Sequence, residues 1–364
     1  MAPAPEDPAQ DQAPSPLPAL TDLDLQGYDV LAQVPGARSF TPRQVRRWVL
    51  ERGAQSWEAM TDLSKALREE LARRWVVRKG VLSRRHESRD GTVGLLTRLA
   101  DGQLIESVSI PEGDRHTLCI SSQVGCAVGC CFCASGLDGV IRNLSQGEIL
   151  EQVLLAREQR PDQPLTNFVF MGSGEPTHNM AAVLSAIRLM NAPEGLGIGA
   201  RRITVSTVGH PAALARLAAE PIPFNIALSL HAPDDAWREE LMPGLGRSHL
   251  AETLAAAKAR FLSHGRRLTV EVVVLAGIND TPDTARGFAK LLAGYPAAVN
   301  LIPFNKVDGL DLAPPQPQDV DTMVDILRAA GVTTTVRRPR GQDVGVACGQ
   351  LRRRAKGDKT TDKA

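Results

Sequence analysis

The chain has 364 residues, 43% of them hydrophobic and 23% charged, with a net charge of +1, the composition of an ordinary globular protein. No apolar run approaches the ~20 residues that would cross a bilayer, and the first residues, MAPAPEDPAQ, carry neither a basic nor an apolar leader segment, so no secretory signal is expected and the protein reads as cytoplasmic. Only 4% of residues are aromatic, which argues against a base-stacking nucleic-acid platform.

Residues 1–37 hold six acids and no Lys or Arg, leaving 42 bases against 35 acids in the remainder. This acidic, Pro-rich segment is expected to be disordered. A small helical accessory domain follows at 38–95. Thr41-Pro42 reads as a helix start running to a stop at Gly53, and Leu63, Leu67 and Leu71 mark a second helix. Turn signals at Asp90-Gly91 and Asp101-Gly102 predict a hairpin-like stretch.

From residue 115 strand and helix patterns alternate six times. The strands are HTLCISS, TNFVFMG, RITVST, NIALSLH, LTVEVVVLAG and AVNLIPF, with a final VTTTV. Such alternation means a parallel sheet with right-handed crossovers. Periodicity leaves an open doubly wound sheet and a partial barrel as alternatives, and in both the ligand sits at the C-terminal strand ends. A catalytic core is expected over 96–351 and a basic tail over 352–364. Short basic clusters, among them Arg73-Arg74, Arg84-Arg85 and Arg352 to Arg354, suit a phosphate-facing side.

Five of the six cysteines fall between 119 and 133. Cys126, Cys130 and Cys133 are spaced C-x3-C-x2-C directly after the first strand of the alternating run. Three thiolates on one tight loop can hold three irons of a 4Fe–4S cube and leave the fourth iron open to a substrate. The alternative is a zinc site adding His116 or Cys119 to these three, although zinc loops usually pair C-x2-C motifs. Cys131 reads as a bystander.

The run IPEGDRHTLCISSQVGCAVGCCFCASG, followed by IRNLSQGEILEQV, FVFMGSGEP, IALSLHAP, VNLIPFN and RGQDVGVACGQL, resembles the RlmN/Cfr family of radical-SAM RNA methyltransferases over nearly all of the chain beyond residue 38. The resemblance implies an α/β partial (β/α)6 barrel, one 4Fe–4S cluster and two S-adenosylmethionine (SAM) molecules per turnover. It implies RNA partners, 23S rRNA and tRNA, methylated at adenosine C2, or at C8 in the Cfr branch; C2 is expected here as the commoner branch. It further implies an electron donor such as flavodoxin and a monomeric enzyme.

By resemblance Cys348 carries the methyl group, Cys119 resolves the enzyme–RNA link by forming a disulfide with Cys348, and Glu106 accepts the proton of the base. Gly174, Glu175, Ser206, Ser229, Leu230, His231 and Asn305 match the SAM-binding positions. One departure stands out: the loop reads GSGEP, with Ser173 where the family usually has Met.

Overall fold

The computed structural model describes residues 17–337, 340–341 and 350–361. Its main sheet has ten strands. Three antiparallel strands come first: β1 (Val81–Glu87), β2 (Val93–Arg98) and β3 (Leu104–Glu112). β3 pairs antiparallel with β4 (Arg115–Cys119). A separate two-stranded ribbon, β5 (Gln123–Gly125) with β6 (Val140–Asn143), stands outside this sheet. The parallel run then continues from β4 through β7 (Asn167–Phe170), β8 (Ile203–Thr207), β9 (Asn225–Ser229), β10 (Leu268–Val274), β11 (Ala297–Pro303) and β12 (Thr333–Val336).

This spatial order, β4-β7-β8-β9-β10-β11-β12, never reverses. A doubly wound sheet must reverse to place helices on both faces; one that does not reverse keeps every right-handed crossover on one face. The open alternative is thereby removed, and the core is a partial α/β barrel. Its ends are drawn together by the chain beyond β12. Arg340 Nη2 donates to Glu112 Oε1 at 3.1 Å, and the Gly341 N–H donates to Asp90 Oδ2 at 3.1 Å.

Alternation along the strands separates two layers. In β8, Ile203, Val205 and Thr207 are buried while Thr204 and Ser206 are only partly so. Ile203 and Val205 join Phe168, Phe170, Leu228, Val270, Val272 and Leu301 in one core with Ile149, Val153 and Ile187 from the surrounding helices. The opposite strand face, carrying Ser206 and Ser229, lines the polar inside of the barrel.

Both ends of the chain depart from expectation. Within the segment expected to be disordered, Leu20, Tyr28 and Leu31 are fully buried, and Leu20 N–H donates to Val76 O at 2.9 Å. Asp22 in this segment serves packing. Asp22 Oδ1 accepts from Ser145 Oγ at 2.6 Å and from Gly147 N–H at 3.2 Å, at the N-terminus of helix Gln146–Gln159, where an anion is favoured. Glu151 on that helix accepts from Thr21 Oγ1 at 2.7 Å and from the N–H groups of Lys79 and Gly80. The expected accessory unit at 38–95 also contains β1 and the first half of β2, which belong to the main sheet. The basic tail begins as a helix, Gln350–Thr361, with Leu351, Arg352 and Ala355 buried.

Candidate active site

The loop bearing Cys126, Cys130 and Cys133 runs between β5 and β6 and is held by backbone contacts that allow no side chain. Cys126 N–H donates to Gly139 O at 3.0 Å, and a Cβ on Gly125 (φ 85°) would lie 2.0 Å from that same oxygen. Gly244 N–H donates to Val128 O at 2.7 Å, and Cys131 N–H to Leu241 O at 3.0 Å. The segment after β9 is thus fastened onto the cysteine loop.

The sulfur surroundings decide what this loop can hold. Cys126 Sγ faces the N–H groups of Val128, Gly129 and Gly174, and Cys133 Sγ faces the N–H groups of Ser135 and Gly136. Donors of this kind stabilise thiolates. Burial nevertheless pushes all three thiols up, Cys130 well above its ordinary value, and the neighbouring Cys133 and Cys126 add to that rise. Three thiolates so placed call for a cationic partner. The zinc alternative does not assemble. His116 is engaged through Nε2 with Ser109 Oγ (2.6 Å) and through Nδ1 with Gln163 O (3.0 Å), while Cys119 packs with Val108 and Leu351. Among the described residues no three His, Cys, Asp or Glu side chains converge as around a single ion. Thiolates that each take a different iron need no such convergence, so the donor set fits a 4Fe–4S cluster.

Beside this loop lie the C-terminal strand ends. Gly174 has φ 109°, and a Cβ there would meet Gln123 atoms at 2.7 Å; only glycine fits. Glu175 is buried. Its N–H donates to Gln123 Oε1 at 2.8 Å, Oε1 accepts from Thr177, and Oε2 accepts from Val208 N–H at 3.0 Å. Its carboxylate therefore joins the ends of β7 and β8. Ser206 and Ser229 bring their hydroxyls within 3.3 Å of each other across β8 and β9.

Leu230 and His231 follow directly. Leu230 is fully buried, and its N–H donates to Glu271 O at 3.1 Å. His231 has φ 62°, the one positive value outside glycine among the described residues. Its Nδ1 accepts from Val273 N–H at 3.1 Å, so a neutral ring carries its proton on Nε2, and burial followed by the charge of Arg238 pulls its pKa down to about 3. The ring stands edge-on to Phe132 of the cysteine loop, with centroids 4.7 Å apart. Asn305 is partly buried just beyond β11.

Glu106 and Cys119 lie on the β3–β4 side. Glu106 is buried; its carbonyl accepts from Ser121 Oγ at 2.6 Å, and its Oε2 accepts from the Arg352 N–H at 3.3 Å. Cys119 is buried with Val108 and Leu351. Cys348 lies outside the described residues.

Comparison with known proteins agrees with this geometry. The Radical SAM superfamily model matches residues 120–289, and the Ribosomal RNA large subunit methyltransferase N-terminal domain model matches 19–77. A probable dual-specificity RNA methyltransferase RlmN of Rhodopirellula baltica is 46% identical over 322 residues, covering 88% of this chain and 87% of the relative. The corresponding protein of Anaeromyxobacter dehalogenans is 46% identical over 343 residues, covering 92% and 91%. The chain belongs to the RlmN family. The crystal structure of a radical SAM methyltransferase from Sphaerobacter thermophilus superposes with a TM-score of 0.88 at 41% identity, covering 92% of this chain and 98% of that one. Members of the radical-SAM superfamily use a 4Fe–4S cluster and SAM, the group that the cysteine loop fits. The N-terminal match beginning at residue 19 accords with the ordered segment that composition assigned to disorder.

Within this RlmN-family frame, several residues that hold the site were not apparent from sequence. Arg238 is buried and donates to Val208 O (2.5 Å), Ser248 Oγ (2.8 Å), Leu230 O (3.2 Å) and Ser229 O (3.3 Å). One guanidinium thus fixes the ends of β8 and β9. Asn279 does the same for the strained turn, donating to His231 O at 3.0 Å and Val273 O at 2.7 Å while accepting from Leu275 N–H. The only local signal was Asn in AGIND after a long apolar strand.

Proposed function

We propose that this chain methylates C2 of adenosine in 23S rRNA and in tRNA, with Cys348 as methyl carrier and two SAM molecules per turnover. The observation that carries the reading is the meeting of the three-thiolate loop, the Gly174-Glu175 loop and the β8–β9 ends in a chain so similar to dual-specificity RNA methyltransferases. Adenine C2 is an electron-poor carbon, so direct polar attack on a sulfonium methyl is a poor route. When bound, the cluster supplies the electron that splits SAM to a 5′-deoxyadenosyl radical.

The protein's own residues do the remainder. The Cys348 thiolate takes a methyl group from one SAM by displacement, and that methyl loses a hydrogen atom to the radical before joining the base. Glu106 accepts the proton from the base carbon. The base adduct gives up its one unpaired electron, which a loaded cluster would take back; the Cys119 thiolate then attacks the Cys348 sulfur, the released carbon takes a proton to become the methyl group of the RNA, and a Cys119–Cys348 disulfide remains. Supporting this pairing, Leu351, three positions after Cys348, packs on Cys119, and Arg352 N–H reaches Glu106. Gly174, Glu175, Ser206, Ser229, Leu230, His231 and Asn305 bind SAM. The enzyme acts as a cytoplasmic monomer reduced by a flavodoxin-like donor; no helix among the described residues is long and apolar enough to cross a membrane.

The test is Cys119→Ala. The enzyme–RNA bond then forms but cannot resolve, so the variant purifies with covalently bound RNA, visible as nuclease-sensitive slow migration in a denaturing gel. RNA-free Cys119→Ala protein that still methylates its own Cys348 contradicts the mechanism.

A further inference from the structure

We propose that segment 304–308, which carries Asn305, couples SAM binding to the seating of helix Gln350–Thr361, so that the helix next to Cys348 is held more firmly when SAM is bound. The inference rests on the reading of Asn305 as a SAM-binding residue.

The helix starts two residues after Cys348 and joins the β2–β3 side of the sheet to the end of β11. On the β2–β3 side, Leu351 packs with Val108 and Cys119, and Ala355 with Leu96 and Leu104. The Arg352 N–H donates there to Glu106 Oε2 at 3.3 Å. On the other side, three side chains reach one short stretch just beyond β11. Gln350 Nε2 donates to Lys306 O at 3.0 Å, and Arg353 Nη1 to Asp308 O at 3.0 Å. Arg354 Nε and Nη2 donate to Asp308 Oδ2 at 3.0 and 2.8 Å. The Arg354–Asp308 pair is exposed and alone holds little. The bonds to the two carbonyls tie the helix to the main chain of the stretch itself.

That stretch is pinned from within. The Phe304 N–H donates to Val274 O at 3.0 Å. Phe304 and Val307 are both buried, in one cluster with Val128 of the cysteine loop and Ala134 beyond it. Close-packed residues shift as a unit, so Asn305, Lys306 and Asp308 move as one piece. The placement that presents Asn305 at the strand ends also presents the two carbonyls to the helix. A ligand shifts an equilibrium only through its different affinity for the two states. SAM gripping Asn305 favours this placement, and the seating of the helix gains from it. Such coupling is reciprocal: the seated helix favours SAM by the same factor.

The experiment is amide hydrogen exchange read by mass spectrometry on full-length, anaerobically reconstituted protein. The probe is S-adenosylhomocysteine, which shares the nucleoside, amino and carboxylate groups of SAM but has no methyl to transfer. Iron content and thermal melting establish that each variant is loaded and folded. In the wild type, saturating probe is expected to slow exchange of the 350–361 amides about tenfold. The triple variant Gln350→Ala, Arg353→Met, Arg354→Met lacks all three tethers. Its 350–361 amides become indifferent to the probe, and probe affinity by equilibrium dialysis falls by the same roughly tenfold factor. Asp308→Ala, a milder change outside the helix, keeps both carbonyls and retains part of the effect. Equal protection by the probe in the wild type and the triple variant overturns the inference alone, as does a wild type that binds the probe without any slowing over 350–361. Unchanged probe affinity in Asn305→Ala overturns the underlying reading and the inference with it.

Discussion

Replacing Arg238 with Met removes the guanidinium that ties together Val208, Ser229, Leu230 and Ser248. A hydrogen bond from a charged donor contributes about 1.5–3 kcal/mol. The acceptors on Val208, Leu230 and Ser248 lose the closer contacts, so the gross loss is roughly 6 kcal/mol. Against this stands the cost of holding a charge out of water. Burial pulls the guanidinium pKa down to about 10, which corresponds to roughly 3 kcal/mol that methionine does not incur. A net destabilisation of about 3 kcal/mol is expected. Because the β8 and β9 ends lose their common tether, SAM affinity should fall about tenfold or more, a change of ~1.4 kcal/mol. Anaerobic urea unfolding measures the first quantity and equilibrium dialysis with labelled SAM the second. Arg238→Lys, a point charge that cannot reach all four acceptors, should fall between. A Met variant within about 1 kcal/mol of wild type, with unchanged SAM affinity, would refute the reasoning.

Other expectations follow from buried groups. Glu151→Gln cannot accept from Thr21, Lys79 and Gly80 as the carboxylate does; proteinase K cleavage within 17–37 should accelerate about tenfold, roughly 1.4 kcal/mol of local opening. Equal cleavage rates would mean that the segment is held elsewhere. His231 is depressed to about 3 by burial, whereas in the unfolded chain it titrates near ~6.5. Below that pH the unfolded state gains a proton the folded state refuses, so stability falls as pH drops from about 6.5 toward 3, by up to ~1.4 kcal/mol per unit. His231→Asn, which tolerates a positive φ, should remove that slope from urea melts between about pH 6 and 4.5; identical slopes would show that the ring is not buried neutral.

What could be read from sequence was what is local. The cysteine spacing, the strand-then-helix alternation and Gly174-Glu175 lie within short windows, and all sit at the strand ends where the fold rule puts them. What could not be read depends on distant partners. In DDAWREEL, Arg238 looks like a solvated helix face, because the carbonyls it holds lie on other strands. Asp22 looked like part of a charged tail because its partner, the start of helix Gln146–Gln159, is more than a hundred residues away. Composition likewise could not foresee that Arg352 is buried with its N–H on Glu106. The choice between open sheet and barrel needed the strand order, which periodicity does not encode.

Methylation of adenosine C2 is read from the nucleoside product. Reconstituted enzyme is incubated anaerobically with SAM, a reductant and a 23S rRNA fragment or tRNA, and the digested nucleosides are resolved by mass spectrometry against 2-methyl- and 8-methyladenosine. 2-Methyladenosine is expected from both RNAs, and none from a Cys348→Ala enzyme that still binds its cluster. An 8-methyladenosine product would contradict the assigned carbon. No methylated adenosine despite a full cluster and SAM cleavage would contradict the substrate.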